Sequence, residues 1–317
     1  MGHFLQSEAW ARLQRAQDRE VVRLEGDGWR VQAFVERGRL NSRLYAPYGP
    51  QLDRPEALRP ALDALRAEAR RLGAAFIRVE PVLAQAPGPD DQPGLPPALL
   101  EAAGLRRVAR VQPEHTQRVD LSRPFDEVLK GMRKTNRNLH RNFGKKGLSV
   151  RSSGDPADIE HLLRLLREVS DRTGMHAHAD AYLRTQAQTL VPGGDARIYL
   201  VELDGEELPI AASLVYDDEE RRYYGHAAAS TAHRNLSPGV ILVTSMMQEA
   251  HEAGLGEFDL YGVVPPEVTD HAWSGFSDFK RSFGGRQVDY SGTWELGVRP
   301  LSYAVYSLAR RFVGDRA

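Results

Sequence analysis

The chain has 317 residues, enough for about two domains of ordinary size. Hydrophobic residues make up 41% and charged residues 27%, so a globular core can be built and disorder is not expected. The formal net charge is −1 and there is no cysteine. That excludes a disulfide framework, a thiolate metal site and a cysteine nucleophile, and it leaves any polyanion partner to be held by a local patch.

The N-terminal residues 1–15 lack a basic stretch followed by an apolar run, and no window approaches the roughly 18 apolar residues that span a bilayer. A soluble, cytoplasmic protein is expected. Arginine outnumbers lysine 37 to 5, so the lysine positions carry information. Four of them (Lys130, Lys134, Lys145, Lys146) fall within one 17-residue segment, and the fifth is Lys280.

In chain order, the first half alternates strands and helices. Val21–Leu24 and Val31–Glu36 are strand-like and joined at Asp27-Gly28, a hairpin signal. Leu44–Tyr48 is a third strand, stopped at Pro47 and Gly49-Pro50. Residues 55–72 carry Leu58, Leu62, Leu65 and Leu72 at helical spacing and end at Gly73. Phe76–Val79 is a strand, residues 86–97 form a Pro/Gly-rich surface loop, and Leu99–Ala103 is a short helix. Thr116–Leu121 is a further strand.

The second half repeats this grammar. Residues 124–143 read as one helix, Ser149–Ser152 as a strand, and residues 156–173 as a helix with Ile159, Leu162, Leu163, Leu166 and Val169 on one face. A helix over Asp180–Leu190 follows, then strands at Arg197–Leu203, Leu208–Tyr216 and Arg222–Ala227. A helix over 239–253, a strand at Glu257–Tyr261 and a C-terminal amphipathic helix over 300–312 complete the order. This is the order of an acetyltransferase-like α+β unit, and two such units in tandem account for the length. The expected division is 1–148 and 149–297, with residues 298–317 packing back on the first unit.

Four segments carry charge or chemistry. Residues 130–146 hold seven Lys/Arg, one histidine and no acid. On a continuous helix Lys130, Arg133, Lys134, Arg137, His140 and Arg141 fall close to one side, a face that attracts phosphates. The run from Gly174 to Asp180 contains H-x-H-x-D but lacks the further ligands a metal site needs, so no metal is expected. In residues 233–239, where an acetyltransferase-like unit would cradle a CoA pyrophosphate, there is one glycine and a proline, a poor anion nest. Lys280 stands alone among Phe276, Phe279 and Phe283, either snorkelling to the surface or serving as a point charge for a phosphate or an oxyanion.

Taken together and in order, several pieces resemble the Fem family of non-ribosomal peptidyl transferases. They are residues 4–7 and 10–12 (FLQS, WAR), 44–50 (LYAPYGP), 76–81 (FIRVEP), 132–138 (MRKTNRN), 174–182, 223–227 (YYGHA), 258–262 (FDLYG) and 279–284 (FKRSFG). No long coiled-coil arm interrupts the second unit, so the chain is similar to the shorter subgroup. The resemblance implies two tandem acetyltransferase (GNAT)-like domains of α+β class, with a precursor cleft mainly on the first unit and at the junction. It implies transfer of an amino acid from aminoacyl-tRNA, as co-substrate with no other cofactor, to a stem-peptide amine of a peptidoglycan precursor. A lipid-linked acceptor would add a peripheral membrane contact.

Family positions that hold the precursor map onto Arg12, Tyr182 and His178, and Tyr224 or His226 falls near a cleft tyrosine. Arg12 stands where the family has lysine, and His178 where it has arginine, a residue charged only part of the time near neutral pH. Lys280 matches the lysine of F-K-x-x-F and is implied as the group that stabilises the anionic intermediate or the tRNA terminal phosphate. Glu80 matches a family aspartate, implied as base or amine-orienting group, with a strand-end surface carboxylate as the alternative. Lys130, Arg133, Lys134, Arg137, Arg141 and Lys145 then become the tRNA contact. The remaining alternatives are a Fem-like or CoA-dependent transferase acting on another amine, and a non-catalytic tRNA-binding protein.

Overall fold

The computed structural model describes residues 2–38, 41–84, 92–174, 178–268 and 270–313. It comprises two compact units, Met1–His115 with Val288–Ala317, and Thr116–Gln287.

The first unit opens with α1 (Glu8–Ala16), N-capped by Ser7, whose Oγ accepts the Trp10 N–H at 3.1 Å. The strands β1 (Val21–Gly26) and β2 (Trp29–Arg37) form the expected hairpin, with Gly28 at φ 72° in its two-residue turn. After β3 (Ser42–Ala46) and β4 (Gln51–Leu52), α2 (Leu58–Arg71) buries Leu58, Ala61, Leu62, Leu65 and Ala69. This is the stripe that its apolar spacing predicts. Then come β5 (Phe76–Val79), β6 (Val82–Leu83), α3 (Pro97–Ala102) and β7 (Arg106–Arg107). Residues 86–91 of the expected Pro/Gly-rich loop lie outside the described residues.

The second unit begins with β8 (His115–Asp120), followed by α4 (Phe125–Gly131), α5 (Lys134–Asn142), β9 (Leu148–Ser153), α6 (Ile159–Thr173) and α7 (Asp180–Leu190). The antiparallel strands β10 (Ala196–Leu203), β11 (Ala211–Asp217) and β12 (Arg221–Ala229) lead into α8 (Pro238–Glu252). This helix buries Ile241, Leu242, Val243, Met246 and Met247 and carries the chain across to β13 (Glu257–Gly262), parallel to β12. A short α9 (Ser274–Arg281) and β14 (Arg286–Asp289) follow. The sheet order is β14-β8-β13-β12-β11-β10-β9.

The chain then returns to the first unit with β15 (Trp294–Gly297) and α10 (Pro300–Val313). The first sheet runs β6-β4-β2-β3-β5-β15-β7, with β1 also paired to β2. As expected, α10 packs back here: the Tyr306 ring stacks 4.6 Å from Phe76, and its hydroxyl accepts from Arg78 at 2.9 Å.

Three expectations are corrected. The units divide at 115/116 and 287/288, not near 148, because β8 is bonded to β13 inside the second sheet, and Val128, Leu129 and Met132 belong to the second core. It is also a strand, not only the C-terminal helix, that returns: β15 pairs with both β5 and β7. The single helix expected over 124–143 is broken as well. Met132 and Arg133 are extended (ψ 160° and 142°), and the Arg133 N–H donates to Ser282 O at 2.9 Å. A distant carbonyl thus takes an amide that a continuous helix would have used internally.

Candidate active site

The parallel pair β12–β13 is short. Arg221, Arg222 and Tyr223 pair with Glu257, Phe258 and Asp259, and no further pairs form between these two strands. Beyond that point Lys280 of α9 lies beside both strands. Its Nζ donates to Gly262 O of β13 at 2.7 Å and stands 6.0 Å from the Tyr224 ring of β12. The Phe276 ring lies 4.1 Å from Nζ on the same helix, a cation–π distance. Lys280 is 3% exposed, so it does not snorkel. Burial lowers its pKa to about 7, against the upward pull of Asp259. Such an ammonium has protons to give and one carbonyl holding it, the arrangement of a group poised to meet a developing anion. On and beside α9 Trp273 and Phe276 are exposed, three residues apart, and Trp273 packs edge-on to His271.

A bulge separates Tyr224 from His226. Leu214 pairs with His226 and the next residue, Val215, with Tyr224, so Gly225 is an extra residue on β12. The bulge turns the two side chains to opposite faces of the sheet. A Cβ at Gly225 would come 2.4 Å from the Tyr216 ring and 2.9 Å from Leu214 O, which is why the position is glycine. Tyr224 is buried beside Lys280, and its pKa is raised by burial. His226 instead meets His178 at 5.3 Å, and His178 meets Tyr182 at 5.2 Å. Burial, and secondarily the charge of His178, hold His226 far below the ordinary histidine range. His178 is exposed on one side, while its packed side is shielded from water, which lowers its pKa too. Both rings are therefore neutral near pH 7. His176 of the H-x-H-x-D run lies outside the described residues, and among the described residues no group of three or more His, Asp or Glu could hold a metal ion.

The helix break divides the basic segment. Lys134, Arg137 and Arg141 share one face of α5, whereas Lys130 and Arg133 precede it. Arg137 is tied down: its guanidinium donates to the Lys130 and Met132 carbonyls at 3.0 and 2.5 Å, closing the end of α4. Lys145 donates to Asn142 Oδ1 at 2.9 Å. Lys130, Arg133, Lys134 and Arg141 are exposed. Asn136, 4% exposed, donates to Ser282 Oγ at 2.8 Å and to Ser282 O at 3.2 Å. The start of the basic helix is therefore pinned two residues from Lys280. At α8, the helix after the β12 turn, the first residue is Pro238, which has no amide hydrogen, and Ser237 before it is left-handed (φ 54°).

In the first unit, Arg12 is exposed on α1. Glu80 is not the surface carboxylate of the alternative reading: it is 3% exposed and accepts four hydrogen bonds. These come from Thr293 Oγ1 (2.7 Å), the Tyr48 and Gln112 N–H groups (3.1 Å each) and Tyr45 Oη (3.2 Å). Burial raises its pKa, and the donors offset that in part. Such saturation is what joins β5 to β3, β15 and the 110–113 segment, and it leaves little room for a proton-transfer partner.

The acetyltransferase (GNAT) domain family matches residues 130–281, from the first lysine of the basic segment to just past Lys280. FemA of Staphylococcus aureus, named an aminoacyltransferase, is 26% identical over 117 residues, 37% of this chain and 28% of that protein. FemX superposes with a TM-score of 0.81 at 18% identity, covering 96% of this chain and 94% of the other. The chain is thus similar in sequence to FemA over about a third of its length and shares its fold with FemX over nearly all of it. It spans just over a quarter of the length of the curated relatives it matches. The C-terminal domain of a putative lysylphosphatidylglycerol synthetase from Agrobacterium fabrum shares the fold more distantly, with a TM-score of 0.60 at 17% identity over 96% of this chain and 92% of that one. The fold is accordingly the tandem GNAT-like, α+β arrangement that the resemblance implied. Trp273 and Asp259 are residues of this site that the sequence did not single out. A glycine inside the strand pattern YYGHA was a visible bulge signal.

Proposed function

We propose that the chain is a Fem-type aminoacyltransferase that moves an amino acid from aminoacyl-tRNA to a side-chain amine of a peptidoglycan precursor. The observation that carries this reading is Lys280: a buried ammonium with one carbonyl partner among the described residues, at the point where β12 and β13 part. An aminoacyl ester is already activated, so neither nucleotide hydrolysis nor an acyl-CoA is required. The acceptor amine attacks the ester carbonyl, the oxyanion forms against the Lys280 ammonium, and the ribose hydroxyl leaves with the proton the amine gives up. Positioning the two substrates supplies much of the rate. The exposed cations of residues 130–141 hold the tRNA phosphates, and the nearby exposed Trp273 and Phe276 faces suit unpaired bases.

One observation favours a second reading, a Fem-type transferase acting on an amine outside the cell wall. His178, at a position implied to grip the precursor diphosphate, is neutral near pH 7. The deciding experiment supplies a charged total-tRNA pool with a UDP-linked stem pentapeptide, with lipid-linked precursor in parallel. Label on either one, lost with ribonuclease and with Lys280→Ala, supports the proposal and names the amino acid. Label on neither, with tRNA still bound, overturns the cell-wall acceptor.

A further inference from the structure

Strand β13 contains a deformation that nothing in the proposed chemistry explains. Asp259 pairs with Arg118 of β8 and Gly262 pairs with Thr116, so three steps on β13 oppose two on β8. The extra residue makes a β-bulge, and Tyr261 within it lies at φ 63°. Left-handed backbone is unfavourable for a side chain of that size and persists only where its surroundings enforce it.

Asp259 does the enforcing. It is fully buried, and its Oδ1 accepts the Tyr261 N–H at 2.7 Å. The same oxygen accepts from Thr116 Oγ1, and Arg118 Nε donates to Oδ2 at 3.2 Å. Thr116 and Arg118 belong to β8, so the carboxylate is fixed from the neighbouring strand while it fixes the turn of its own. The next residue after the turn is Gly262, whose carbonyl is the Lys280 partner.

Resting on the reading of Lys280 as the site's cation, we infer that Asp259 is its positioning residue. Its carboxylate holds the left-handed Tyr261 bulge, and the bulge turns the Gly262 carbonyl onto Nζ. The charge of Asp259 acts in the same direction. Among the groups facing Lys280, Tyr224 on β12 is neutral and Phe276 on α9 is uncharged, while Asp259 on β13 is the carboxylate that favours the ammonium. Asp278 and Arg281 flank it on α9 and pair with each other at 3.5 Å. Removing Asp259 therefore withdraws both the geometry and the counter-charge.

The chain has five lysines, few enough for 13Cε-lysine NMR to follow each, with Lys280→Met identifying the resonance. In the wild type the Lys280 signal is expected to titrate near neutrality. Asp259→Asn keeps an acceptor for the Tyr261 N–H but removes the charge, and should lower that midpoint by about one unit. Arg118→Gln frees the carboxylate from its cation and should raise the midpoint, a readout that survives if Asp259→Asn fails to fold. In the transfer assay Asp259→Asn should lower kcat more than it alters KM. A Lys280 midpoint unmoved in both variants overturns the inference, whatever the transfer assay shows. Shifted midpoints without any transfer would leave the inference standing and remove the proposed reaction instead.

Discussion

Two buried ionisable side chains, one in each unit, look alike in the sequence and differ in the fold. Glu80 is 3% exposed and accepts four hydrogen bonds; Lys280 is 3% exposed and donates one, with an aromatic face beside it. A buried group whose bonding capacity is filled is held by its surroundings and holds them in turn. A buried charge left with sparse partners is costly to keep and is kept where it meets something else. Glu80 is thus the carboxylate tied into its surroundings, and Lys280 the buried group with bonding capacity to spare.

The largest expected effect separates those roles at Lys280. Lys280→Met should reduce transfer by about 10²–10³-fold, the scale of losing one oxyanion stabiliser. It should also raise the melting temperature, because burial of the ammonium is unfavourable. With the folded pKa near 7 and an unfolded value near the ordinary 10.5, the unfolded chain binds more protons between these limits. Wild-type stability attributable to this group therefore rises with pH through that window and is flat below it. The variant's advantage should be greatest at about pH 6.5 and shrink by about pH 9.5 in thermal melts. An advantage that grows with pH would contradict the buried, partly neutral lysine.

Glu80→Gln is the mirror experiment. It replaces one carboxylate oxygen by an NH₂ group that faces that oxygen's donors, and should cost about 2–4 kcal/mol, seen as a lowered melting temperature of the first unit. The kcat of the folded protein should stay within a few-fold. A large fall in kcat with an unchanged melt would restore the general-base role.

What the sequence made legible was mostly local. The Asp27-Gly28 hairpin, the apolar stripe of α2 and the limits of α7 follow from turn chemistry and periodicity. Lys280 stood out because lysine is scarce elsewhere. What was not legible depends on partners far along the chain. Nothing near Trp294–Gly297 says that this strand inserts between β5 and β7. The break at Met132-Arg133 is set by the Ser282 carbonyl, and the saturation of Glu80 by Thr293 and Gln112. The F-D-L-Y-G motif was visible, but the carboxylate–amide bond that gives it a left-handed turn was not.

The broken basic segment yields a smaller, graded prediction. Reversing the charge of Lys134 and Arg141, both exposed on α5, should weaken tRNA binding about tenfold and reduce the salt slope by about two. Arg137→Gln should act differently, because its guanidinium closes the end of α4. A loss of about 1 kcal/mol in stability is expected, with a lesser change in salt dependence. Filter binding across a salt series, with melts of the same variants, separates the two.

The smallest effect tests the acceptor. His178 packs against Tyr182 and His226, and the loss of water around it lowers its pKa, so it contributes no charge near pH 7. If a diphosphate sits beside it, wild-type affinity for a UDP-linked precursor should improve only as pH falls below the ordinary histidine range, when the ring gains its proton. His178→Arg should supply that charge permanently, tightening binding by roughly three- to tenfold at pH 7 and removing the pH dependence. Isothermal titration across pH distinguishes this from a site elsewhere. Unchanged affinity and an unchanged pH profile would place the phosphates away from His178 and shift the balance toward an acceptor without a diphosphate.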